Sequence, residues 1–129
     1  MKALLVLLFV CSFSTAQNDP DIHIHGPSGN DLLSKCSGIT NYNEQTGRVD
    51  ASAAWPLGYC MGYISGMVDS IDVLAAVTKR PGAFCAPVAT TIPQLTRIIV
   101  KYGNDHPEEL HLPGMSLITN ALSSYFPCR

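Results

Sequence analysis

The side chains best equipped for chemistry lie together at His106-Pro107-Glu108-Glu109-Leu110-His111, where two imidazoles bracket two carboxylates. Such a set can hold a metal ion or pass a proton between acid and base. Its spacing argues against both. The histidines are five residues apart, whereas two ligands share a helical face at a separation of about four, and Pro107 favours a turn. The segment therefore reads as a solvated elbow leading into a helix. His23 and His25 flank Ile24 near the N-terminus, a pairing that suits adventitious metal binding at most.

The chain also carries five cysteines, whose role depends on where it folds. Lys2 precedes an almost unbroken apolar run from Ala3 to Val10, followed by Ser14, Thr15 and Ala16. A charged start, an apolar core and small residues at a cleavage point form an export signal. The run is far short of the roughly 20 residues that span a bilayer, so it is expected to be cut after Ala16 rather than to anchor the protein. Bulky Val10 ahead of Cys11 argues against lipoprotein processing. Removal of residues 1–16 leaves 113 residues with a net charge of −3. That length suits one domain with a modest core, and without a Lys/Arg cluster nucleic acid is not an expected partner.

Cys36, Cys60, Cys85 and Cys128 remain, and an even number in a small exported domain reads as disulfides. None sits in a Cys-x-x-Cys pair, so structural zinc is disfavoured. Bridged cysteines offer no thiolate. Neither a Gly-x-Ser-x-Gly elbow nor a glycine-rich phosphate loop is present. The sequence therefore argues for a binding protein without cofactor or metal, not an enzyme.

The elements that must position these residues are helical. Residues 17–27, with Asp19-Pro20 and Gly26-Pro27, read as a flexible lead-in to a domain at 28–129. Ser28 or Asn30 can cap a short helix to about Ser37 that buries Leu32, Leu33 and Cys36. A long polar loop is expected from Gly38 to Ala54. From Pro56 in its first turn, a second helix carries Leu57, Cys60, Met61, Ile64, Met67, Val68, Ile71, Leu74 and Ala75 on one face, and Lys79-Arg80-Pro81-Gly82 closes it. Asp69 and Asp72 mark it as a soluble core helix rather than a membrane span. Gly58, Gly62 and Gly66 form a row without side chains, expected to receive a neighbouring helix or its disulfide, with a subunit interface as the alternative.

Thr91 and Gln94 have capping-box spacing for a third helix, from Ile92 to Tyr102, ended by Gly103. Pro113 opens a fourth, with Met115, Ile118, Ala121, Leu122 and Tyr125 toward the core and Pro127 as its stop. No strand pattern competes with these signals. The expected fold is all-α, a small four-helix bundle-like domain stapled by two disulfides.

Helix length selects the pairing. The stretch from Cys60 to Val77 spans roughly 25 Å at 1.5 Å per residue, which makes a Cys60–Cys85 bridge difficult. The first helix ends beside Cys36, and a loop can return the chain to Cys60. Cys85 and Cys128 meet at the open end of the hairpin made by the last two helices. The pairs are therefore expected to be Cys36–Cys60 and Cys85–Cys128.

Four segments in order carry a family resemblance: Cys60-Met61-Gly62-Tyr63-Ile64-Ser65-Gly66; Phe84-Cys85-Ala86-Pro87 with Gln94 beyond it; His106-Pro107-Glu108-Glu109-Leu110-His111; and Ala121-Leu122 with Phe126-Pro127-Cys128. Over Leu32 to Cys128 the chain resembles the Rap/Tai family of type VI secretion immunity proteins. The resemblance implies a periplasmic helical protein, often a homodimer, that occludes the active site of a peptidoglycan-cleaving amidase toxin. The matching positions are cysteines, glycines and a helix-stopping proline, and they do not locate the toxin contact.

A binder of such a toxin needs exposed loops able to enter a catalytic cleft, and two segments qualify. In Asn41 to Arg48 the candidate contacts are Asn43 and Arg48. In Asn104 to His111 they are Asp105, His106, Glu108 and Glu109, whose charges can pair with cations in a toxin groove and speed association. No membrane association is expected once the signal is removed. The alternative function is a periplasmic acid-stress chaperone resembling the HdeA family, in which protonation of acids and histidines would loosen a dimer and bare apolar surface.

Overall fold

The computed structural model describes residues 26–128. The expected signal segment, its cleavage point and His23 and His25 lie outside them. Four helices build the domain: α1 (Gly29–Cys36), α2 (Ala51–Thr78), α3 (Ile92–Asp105) and α4 (Gly114–Tyr125), with short 3-10 turns at Ser37–Asn41 and Pro107–Glu109. Among the described residues the only strand-like pairings are isolated bridges, Ser28 with Pro113 and Asn43 with Arg48.

Helix α1 starts at Ser28 because a capping box forms there. The Asp31 amide donates to Ser28 Oγ at 3.2 Å and the Ser28 amide to Asp31 Oδ2 at 3.3 Å, which satisfies two donors that a helix start leaves orphaned. Leu32 and Cys36 then fall on the buried face, and the following 3-10 turn buries Ile39.

Helix α2 begins at Ala51 rather than near Pro56, so the long polar loop contracts to about residues 42–50. Three alanines in four residues have the strongest helix propensity. Gly38 also lets the turn after α1 pack on this new first turn, since a Cβ there would come within 3.0 Å of Ala53 Cβ. Pro56 thus sits in the second turn, where the bond it cannot donate would have gone to the carbonyl of exposed Ser52. Lys79 ends the helix in the left-handed region at φ 54°.

The burial of α2 differs from expectation in two ways. Leu57, Cys60 and Ile64 are buried, but Leu74 is 62 % exposed, because the helix outruns the shorter elements it packs against. The row Gly58, Gly62 and Gly66 meets nothing: a Cβ built at any of the three finds no atom within 4 Å. At about 100° per residue these glycines lie on the opposite side from Cys60 and Ile64, so neither a helix nor a disulfide of the same chain fills the row.

Helix α3 is capped by the expected Thr91–Gln94 box, with the Thr91 amide 2.9 Å from Gln94 Oε1. It runs past Gly103 to Asp105. Instead of ending the helix, Gly103 is buried in it, where a Cβ would lie 3.1 Å from Leu33 Cδ1 and 3.5 Å from Leu110 Cδ2. Its lack of a side chain serves packing. In α4 the buried set is Gly114, Leu117, Ile118, Ala121 and Leu122, while Met115 and Tyr125 are exposed. Gly114 fixes that rotation, because a Cβ there would sit 2.9 Å from the Pro27 carbonyl and 3.2 Å from Leu32 Cδ2. Met115 is therefore carried one step around, out of the core.

Cys36 is bonded to Cys60, with Cα atoms 5.2 Å apart, and Cys85 to Cys128 at 5.0 Å. The first bridge ties α1 to α2 and the second closes the open end of the α3–α4 hairpin. By loop closure alone they stabilise the fold by about 3.5 and about 4 kcal/mol.

Candidate functional site

The elbow between α3 and α4 is a preorganised structure. Glu109, half-buried, accepts from Tyr102 Oη at 3.1 and 3.3 Å and from Asn120 Nδ2 at 3.0 Å. One carboxylate thereby ties the 3-10 turn to both flanking helices. The His106 ring stacks on Tyr102 with centroids 4.0 Å apart, and its Nδ1 lies 2.9 Å from the Tyr102 carbonyl. Burial, the bond to Glu109 and the negative charge of Glu109 and Glu108 together push the Tyr102 hydroxyl pKa up.

Backbone bonds then strap the elbow to the start of α1. The Gly29 amide donates to the Leu112 carbonyl at 2.8 Å, Asn30 to Leu110 at 2.9 Å, and Gly114 to Pro27 at 2.7 Å. Gly29 is required at this crossing, because a Cβ would come within 2.9 Å of the Leu110 carbonyl oxygen.

The expected contact residues now divide by what they touch. Asp105 pairs with Lys101 at 2.6 Å, and the ammonium bond holds the Asp105 carboxyl below, and the Lys101 amine above, its ordinary pKa. His106 and Glu109 serve the elbow's own architecture. Glu108 and His111 lie exposed on it. Ser124 and exposed Tyr125 border a shallow depression beside Asp105 and His106. Among the described residues no three His, Cys, Asp or Glu side chains converge on a metal-sized site.

The second segment forms a tight turn. The Asn43 amide donates to the Arg48 carbonyl at 2.8 Å, Thr46 donates to Asn43 Oδ1 at 3.0 Å, and Gly47 supplies the left-handed residue at φ 65°. The Asn43 side chain therefore shapes the turn, and Arg48 is exposed. Arg97 of α3, absent from the sequence reading, pairs with Glu44 and reaches the Tyr42 carbonyl at 3.4 Å. Arg97 and Asp105 are about 12 Å apart along α3 at 1.5 Å per residue, so the two loops sit at different levels of one helix. No sequence signal pairs Arg97 with Glu44, which lie far apart in the chain.

The arrangement can bind through shape and charge. Residues 28–128 match the family model described as Rap1a immunity proteins. No curated protein matches the chain.

Proposed function

The chain belongs to the Rap1a immunity protein family, and from that premise we infer that its domain protects the periplasm by binding a peptidoglycan amidase toxin delivered by type VI secretion and occluding the toxin's active site. Family membership suggests immunity to a type VI effector and implies a cognate toxin as partner. The amidase, the occlusion and the contact residues are our reading.

The observation that supports it best is the elbow, held by Glu109, Tyr102 and Asn120 and strapped to α1. A loop fixed in advance loses little conformational entropy on docking, so its contacts are retained as affinity. Glu108 and His111 would meet the toxin directly, with Asp105 and Tyr125 beside them. Arg48 would contribute from the second turn, while Asn43 and Glu109 would act by holding their loops in shape.

The test asks whether a gene beside this one encodes an exported amidase, and combines that product with this protein. Wild-type protein is expected to abolish peptidoglycan cleavage at equimolar ratio. Glu108→Arg combined with His111→Glu should weaken binding at least tenfold by calorimetry without lowering the melting temperature. Equal affinity of variant and wild type would remove the elbow from the interface. Absence of any complex would remove the amidase reading.

A further inference from the structure

We propose that the shallow depression beside the elbow is a seat for one arginine side chain of the docking protein, its guanidinium laid against the His106–Tyr102 stack and bonded to Asp105. The proposal rests on the elbow being the docking loop, and it names the chemical group that the loop receives. Side chains from α3, the elbow and α4 border the depression, which is about 460 Å³ of open space between Tyr102, Asp105, His106, Ser124 and Tyr125.

Its hydrogen-bonding groups are set before any partner arrives. The His106 and Tyr102 rings lie 4.0 Å apart between centroids, with their planes within 14° of parallel, and His106 Nδ1 is 2.9 Å from the Tyr102 carbonyl oxygen. A carbonyl only accepts, so Nδ1 carries the proton and Nε2 of the neutral ring is an acceptor. The bond to the carbonyl is the one the described residues give to this imidazole, which leaves Nε2 for a ligand. Asp105 likewise spends one oxygen, since Lys101 Nζ bonds to Oδ2 at 2.6 Å. Its Oδ1 is left to accept. Ser124 and Tyr125 bring hydroxyls, which also accept, so acceptors surround an aromatic floor.

Charge selects a cation. Residues 101–111 set Asp105, Glu108 and Glu109 against Lys101, a net −2 with the histidines neutral, and α4 contains no charged side chain. Glu108 and Glu109 both act on Tyr102 electrostatically, which places the stack in a negative field. An anion would be repelled there, and Lys101, the group that could attract it, is spent on Asp105.

Shape then selects arginine over lysine. An ammonium is compact and strongly hydrated, and a flat ring offers it no matching surface. A guanidinium is planar and weakly hydrated, stacks on aromatic faces and carries five donors along its edge. It can continue the Tyr102–His106 stack while that edge bonds Asp105 Oδ1, and bonds of this charge-assisted kind are the stronger ones. The depression is open, so water stays around the cation and the desolvation cost is small. Exposed Glu108 would draw a partner in from a distance, whereas Asp105 and His106 would hold one particular side chain. The first role sets association and the second dissociation.

The probe is Nα-acetyl-arginine amide, titrated into the processed protein and followed by NMR at the His106 imidazole and the Tyr125 ring. Saturable shifts are expected at both, with affinity at least threefold above that of Nα-acetyl-lysine amide and with Nα-acetyl-aspartate amide failing to bind. Asp105→Asn keeps the shape and gives up only an exposed i,i+4 pair, which contributes little to stability. It should weaken the arginine probe at least threefold at an unchanged melting temperature. Against the amidase the same variant should raise the dissociation rate about tenfold. One toxin arginine replaced by alanine should cost the wild type a similar factor and Asp105→Asn almost nothing, since the two changes remove one contact. An arginine probe that leaves His106 unshifted, equal affinity for the lysine probe, preferential binding of the aspartate probe, or a toxin complex in which no arginine is coupled to Asp105 would each overturn the proposal. Absence of any toxin complex would remove the amidase reading alone, because the arginine titration needs no toxin and still decides the seat.

Discussion

Replacing Glu109 with alanine removes the acceptor that Tyr102 Oη and Asn120 Nδ2 share. A hydrogen bond to a charged group contributes about 1.5–3 kcal/mol, and half-burial lets water satisfy part of each donor, so about 1 kcal/mol per bond is the reasonable share here. Glu109→Ala should therefore lower stability by about 2 kcal/mol, which for a domain of this size lowers the melting temperature by about 8–12 °C. Tyr102→Phe and Asn120→Ala should each cost about half as much, and combining either with Glu109→Ala should add little, because the pairs share one acceptor. Circular dichroism melts measure the stability, and hydrogen exchange at the Asn30 and Gly29 amides, which bond to the elbow carbonyls, reports its local opening. A pH arm follows from the raised Tyr102 pKa. Its ordinary value is 10.0, so the native state holds this proton more tightly than the unfolded chain. That contribution is fully present below about pH 10 and is lost as pH rises through the higher folded value. Glu109→Gln should shrink this alkaline loss. A Glu109→Ala protein within about 0.5 kcal/mol of wild type, with unchanged exchange at Asn30, would refute the claim that one carboxylate holds the elbow.

Other outcomes follow from the same geometry. Ser28→Ala should cost about 1 kcal/mol in urea unfolding by removing the α1 cap. Hydrogen bonds from Ser28, with Lys35 nearby, depress the Asp31 pKa below 3.8, so its stabilisation is present above that value and fades as pH falls through the folded pKa; Asp31→Asn should flatten that acid limb. Gly103→Ala should destabilise by about 1–3 kcal/mol despite its better helix propensity, because the new methyl group presses on Leu33; a more stable variant would show that α1 yields freely. Opening the Cys85–Cys128 bridge as a double serine variant should cost about 2–4 kcal/mol in guanidinium unfolding and leave α1 and the first half of α2 protected from exchange.

The sequence disclosed what local patterns encode. Capping residues at Ser28 and Thr91, the three-and-four spacing of α1 to α4 and the cysteine partners were all legible, since each depends on neighbours in the chain or on helix length. Misreadings arose where tertiary contact overrides a local habit. Gly103 looks like a terminator but is a packing gap for Leu33, and Met115 looks like core until Gly114 pressed on Pro27 fixes the rotation of α4. Polar neighbours concealed the helix start at Ala51. The site was legible as a location but not as a mechanism. Glu109 resembles Glu108 in sequence, and only the approach of Tyr102 and Asn120 makes one of them internal and leaves the other facing water.

The straps at Pro27, Gly29 and Asn30 dictate where the polypeptide enters the fold. Gly26 abuts Tyr63, and the Pro27 carbonyl receives the Gly114 amide at the base of the elbow. The chain thus enters the described fold at Gly26 and Pro27, at the rim of this loop. A bulky amino-terminal fusion would act as a doorstop against a docking protein, whereas the opposite terminus, anchored beside Cys85 at the far end of the hairpin, leaves that approach clear for a tag or an immobilising linker.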